Sequence, residues 1–99
     1  MTSTISAHGY TFNVETQGFK YANTQADKER GIDAAEDALR AMPAAEVAAL
    51  HAADLKWVTG GYVEDRPAGL DRIEAAAEAE ATKGWHNASD AFISISAEP

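Results

Sequence analysis

Thr4-Ile5-Ser6-Ala7-His8-Gly9-Tyr10-Thr11-Phe12-Asn13-Val14 alternates apolar and polar residues on both sides of a His-Gly pair. Ile5 and Ala7 precede the pair, and Tyr10, Phe12 and Val14 follow at every second position, the spacing of a half-buried strand. With His8-Gly9 as a two-residue turn, Ala7 faces Tyr10, Ile5 faces Phe12 and Ser3 faces Val14. The apolar side chains of both strands then fall on one face. Gly9 supplies the positive φ that such a turn needs. The chain therefore opens with a β-hairpin. Thr16-Gln17-Gly18-Phe19 reads as a second turn, with Phe19 and Tyr21 on a third short strand.

From Thr24 the apolar period lengthens to about 3.6 residues. Thr24 with Asp27 suggests a capped start, and Ile32, Ala35, Leu39 and Met42 recur on one stripe of a helix running from Gln25 to Met42. Pro43 suits a first helical turn, where a missing N–H has no intrahelical partner anyway, so a second helix follows at once. Its stripe is Val47, Leu50, Ala53 and Trp57, and it stops by Gly60-Gly61. The alternative for Lys56 to Glu64 is a second hairpin around those glycines, because Trp57, Val58, Tyr62 and Val63 favour strands. Asp65-Arg66-Pro67 is a helix-start signature, and Leu70, Ile73, Ala77 and Ala81 carry an apolar stripe to Gly84. Ala91 to Ala97 alternates again and reads as a closing strand. Strands at both ends with helices between them predict an α+β domain: an antiparallel sheet, built from the N-terminal hairpin plus the C-terminal strand, covered on one face by two or three helices.

The composition bounds what such a domain does. Its 99 residues suit one domain spanning 1–99, and alanine supplies much of the 45% hydrophobic content, so the core is thin and leaves room for a homodimer interface. Without cysteine, disulfides, thiolate metal sites and cysteine nucleophiles are excluded. No export signal or membrane-length apolar run is seen, so the expectation is a cytoplasmic protein with no membrane partner. Sixteen acidic against eight basic residues give a net charge of −8, which opposes direct nucleic-acid binding.

No arrangement of residues carries a reaction, a metal or a cofactor. His86, Ser89 and Asp90 have the residue types of a hydrolytic triad but read as a polar turn before the last strand. His51 and Asp54, one turn apart, are two ligands where a metal site needs three or four, so His51 reads as a surface or helix-packing residue. His8 is a turn residue. Gly9 and Gly60-Gly61 are too isolated for a phosphate loop, and Trp57, Tyr62 and Trp85 read as packing residues. The remaining feature is acidic: Asp71, Glu74 and Glu78 lie at i, i+3 and i+7 on helix three, with Glu80 beside them, and Asp33, Glu36 and Asp37 lie on helix one. These seven residues are the predicted partner-binding set, a spaced row of negative charge addressed to a Lys/Arg-lined groove.

Size, charge, the hairpin Thr4 to Val14 and the acidic helix Asp71 to Glu80 together resemble the small phage-encoded anti-CRISPR proteins. The resemblance is of kind, and no motif carries a functional residue across. It implies a non-enzymatic inhibitor that lays its acidic helices or a sheet edge on a basic protein surface, such as a CRISPR effector subunit, and blocks nucleic-acid binding there. The competing expectation is a self-associating or adaptor domain that binds through apolar residues or a sheet edge. An enzyme would need His51 or His86 beside an acid in a pocket.

Overall fold

The computed structural model describes residues 2–17, 25–60, 67–83 and 92–99. His8 and Gly9 both take positive φ, 54° and 86°, as a type I′ turn demands. That turn joins β1 (Thr2–Ala7) to β2 (Tyr10–Gln17) in the register expected, with Ala7 opposite Tyr10, Ile5 opposite Phe12 and Ser3 opposite Val14. β3 (Phe92–Ala97) pairs antiparallel with the other side of β2, setting Phe12 opposite Ala97 and Val14 opposite Ile95. The sheet order is β1-β2-β3, so the first and last strands are its two edges. Phe19 and Tyr21, proposed for a further strand, lie outside the described residues, as does the Thr24 cap.

Between β2 and β3 run α1 (Gln25–Ala41), α2 (Ala44–Val58) and α3 (Ala68–Ala81). α1 stops one residue before Met42. Pro43 stands as the N-cap of α2 rather than inside its first turn. Its carbonyl accepts the N–H groups of Glu46 and Val47, so the ring opens the helix without removing a needed donor. Lys56, Trp57 and Val58 are helical, which excludes the alternative hairpin at that point. The helix closes at Thr59, whose backbone N–H and hydroxyl both donate to the Leu55 carbonyl.

The helices cover one face of the sheet. Ile5, Ala7, Phe12, Val14, Ile93, Ile95 and Ala97 point into the core and meet Ile32, Ala35 and Leu39 of α1, Val47 of α2, and Leu70, Ile73, Ala77 and Ala81 of α3. The opposite face presents Thr4, Ser6, Glu15 and Ser94 to solvent. Among the described residues no helix is long and apolar enough to cross a membrane.

Candidate functional site: carboxylates at the sheet edges and on α1

An antiparallel edge strand turns every second N–H away from its neighbour, and each such donor needs an acceptor. On β3 the outward donors belong to Ile93, Ile95 and Ala97, and helix carboxylates accept all three. Ala97 N–H donates to Asp54 Oδ2 at 2.6 Å, Ile95 N–H to Glu74 Oε2 at 2.6 Å, and Ile93 N–H to Glu78 Oε1 at 3.0 Å. The match is geometric. Four residues along a helix advance about 6 Å, and two residues along a strand advance roughly 6.7 Å, so Glu74 and Glu78 meet Ile95 and Ile93 in step as α3 runs antiparallel to β3. Asp54 of α2 extends the row by one more position and is itself fully buried.

At the other edge Ser6 is treated in the same way. Ser6 N–H donates to Glu36 Oε2 at 3.0 Å, and the Ser6 carbonyl accepts from Arg40 Nε at 3.2 Å. Glu36 and Arg40, one turn apart and paired at 3.3 Å, stand in for the peptide group of a neighbouring strand. Hydrogen bonds to charged groups contribute about 1.5–3 kcal/mol each, whereas an exposed ion pair contributes roughly 0–1 kcal/mol. The bonds to the strands therefore outweigh the Glu36–Arg40 attraction itself.

The predicted partner-binding residues divide accordingly. Glu74 and Glu78, expected on the outer face of α3, are turned onto β3, and Glu36 is engaged at β1. Glu80 lies 3.8 Å from Arg30 Nε and 3.9 Å from Lys83 Nζ. Arg30 also donates to the carbonyls of Glu80 and Ala81, closing the last turn of α3, and to Asp27 Oδ1 at 2.9 Å. Asp71 is exposed on α3. Asp33 and Asp37 are exposed on α1, and Glu29, which the sequence reading did not single out, extends them to i, i+4 and i+8. These three acids, with Arg30 and Glu80, line an open groove along α1.

The histidines hold backbone. His8 Nε2 bonds the Met42 carbonyl at 2.8 Å, pinning the hairpin turn to the α1–α2 junction. His51 Nε2 bonds the Glu98 carbonyl at 3.0 Å, and its ring packs on Tyr10 and edge-on to Phe12, each at 5.2 Å between centroids. In both, the Nε2–H is the donor. Asp54 faces Ala97 rather than sharing a ligand with His51, and among the described residues no group of three or more His, Cys, Asp or Glu is placed to hold a metal. Trp57 is half-buried on α2. His86, Asn87, Ser89, Asp90, Tyr62 and Trp85 lie outside the described residues.

Comparison with protein-family models, with curated proteins and with solved structures finds no match to this chain.

Proposed function

We propose that the protein is a non-enzymatic acidic inhibitor that occupies a basic surface of another protein, in the manner of the anti-CRISPR proteins that block nucleic-acid binding by a CRISPR effector. The observation that carries this reading is the distribution of acids. Asp54, Glu74, Glu78 and Glu36 bond to strands, whereas Asp33 and Asp37 are exposed one turn apart along α1. The two stand about 6 Å apart on one rigid helix, so a Lys/Arg-lined groove meets them with little ordering cost on this side. The net charge of −8 steers a basic partner toward that pair and repels nucleic acid itself.

The test is capture from bacterial lysates on immobilised protein, followed by competition between this chain and DNA for the captured nucleic-acid-binding protein. Wild type is expected to retain a basic nucleic-acid-handling protein, to release it as salt rises, and to compete with its DNA. Asp33→Asn/Asp37→Asn is expected to lose capture while keeping the circular dichroism of wild type. Capture that ignores both salt and the double substitution would contradict the reading.

A further inference from the structure

The three helices are held by different means. α1 and α3 pack on one another so closely that Gly31 has no room for a side chain. Ile32, Ala35 and Leu39 are buried on the one, and Leu70, Ile73, Ala77 and Ala81 on the other. α2 stands apart, chiefly against β2 and β3. Among the described residues it buries one apolar side chain, Val47, together with the carboxylate of Asp54, while Leu55 and Leu50, which lies over Gly69 of α3, are half-buried. Its other ties are polar and meet at the end of β3. Asp54 accepts from Ala97 N–H, and His51, seated on Tyr10 and Phe12, donates to the Glu98 carbonyl. The junction with α1 is Met42 and Pro43, the latter extended at φ −57° and ψ 143°. Met42 N–H turns back to Leu39, and Glu46 and Val47 bond to Pro43, so none of these backbone bonds bridges the two helices. His8 holds the Met42 carbonyl to the hairpin turn, which fixes the junction to the sheet.

We propose that α2 is a lid, which swings about Pro43 away from the hairpin end of the sheet at a lower free energy than the rest of the domain unfolds. Local opening is cheapest where buried apolar contact is least, and of the three helices α2 has the least. Its movement gives up the burial of Val47 and Leu50 and the bonds at Ala97 and Glu98. It leaves the contact of α1 with α3 and the ladders of the sheet in place. What it uncovers is aromatic: Phe12, wholly buried beneath the closed lid, and the ring of Tyr10. The carboxylates along β3 divide with the motion. Asp54 leaves with the lid, whereas Glu74 and Glu78 stay on α3. The Ala97 amide therefore reports the lid, and the Ile93 and Ile95 amides of the same strand report α3.

Hydrogen exchange of the intact chain, followed amide by amide at urea concentrations below the unfolding transition, tests this. In wild type the hydrogen-bonded amides of α2 and that of Ala97 are expected to share one opening constant, about tenfold or more above that of α1, α3, Ile93 and Ile95. Val47→Ala is expected to speed exchange in α2 and at Ala97 by about tenfold. Ile32→Val, a mild loss on the α1 side of the core, is expected to speed exchange in α1, in α3 and at Ile95 while α2 and Ala97 keep their wild-type rates. A single opening constant shared by all three helices would overturn the proposal. So would an Ala97 amide that follows Ile95 rather than α2, or α2 amides that accelerate in Ile32→Val.

Discussion

The Ile95 amide nitrogen stands 2.6 Å from Glu74 Oε2, and among the described residues no strand lies beyond β3 to offer an alternative acceptor. Replacing Glu74 with Leu leaves that donor without its partner in a half-buried place, at a cost of about 1–3 kcal/mol. Glu74→Gln keeps an oxygen at the same reach and is expected to cost less. Urea unfolding of the two variants should rank them in that order, and hydrogen exchange at the Ile95 amide should accelerate in Glu74→Leu before the rest of the sheet. Asp54 is the more sensitive position, because it is fully exchanged from water into the core. Asp54→Ala removes the acceptor of Ala97 N–H and opens a void together, so it is expected to lower the urea midpoint more than Glu74→Leu. If Asp54→Ala unfolds at the midpoint of wild type, the carboxylate is not holding β3.

Between elements, the closest approach is that of α1 to α3. A Cβ built on Gly31 would stand 2.8 Å from Ile93 Cδ1, 2.9 Å from Ala81 Cβ and 3.0 Å from the Ala77 carbonyl oxygen. Alanine gains up to about 1 kcal/mol over glycine in a helix, and overpacking costs roughly 1–3 kcal/mol. The second effect wins here, because the Ala81 and Ala77 atoms belong to a neighbouring helix and cannot rotate away. Gly31→Ala is therefore expected to destabilise the protein, read as a fall in thermal midpoint; a rise would mean that the two helices are free to separate. The same contact shows where the sequence misleads. Gly31 reads as a weak point of a helix when taken alone, and its reason lies on a partner fifty residues away in α3. The hairpin, by contrast, was legible in full, since its register, turn and buried face are all set within Ser3 to Val14. The apolar stripes of α1 and α3 were legible for the same reason, as burial repeats at the helical period. Periodicity reports which side chains are polar and is silent on what their polar atoms bond. Glu74 and Glu78 have the spacing of a solvated face and equally the spacing of two alternate amides on a strand. Asp54 carried one missed signal: it sits on the Val47–Leu50 stripe, where an acid needs a specific partner.

At the scale of the whole molecule, two sets of acids have separate assignments. One set, Asp54, Glu74, Glu78 and Glu36, takes the place of missing strands at the edges of a small sheet. The other, Asp33 and Asp37, is exposed along α1, where the proposed basic partner would meet it. Composition gave the total of −8 and could not make this division, which depends on how the helices lie against β3. The two sets should respond in opposite ways to neutralisation. Like charges one turn apart on a helix are mildly destabilising, so removing those on α1 should leave the fold as stable as before or slightly more so. Removing those on α3 should weaken the hold on β3.

Equilibrium urea unfolding of Glu74→Gln/Glu78→Gln beside Asp33→Asn/Asp37→Asn tests this division most directly. Each double variant loses the same formal charge, so the overall electrostatic change is matched between them. The expected result is a clear fall in midpoint for the α3 pair and an unchanged or slightly raised midpoint for the α1 pair. Equal midpoints, or a larger loss from the α1 pair, would contradict the account.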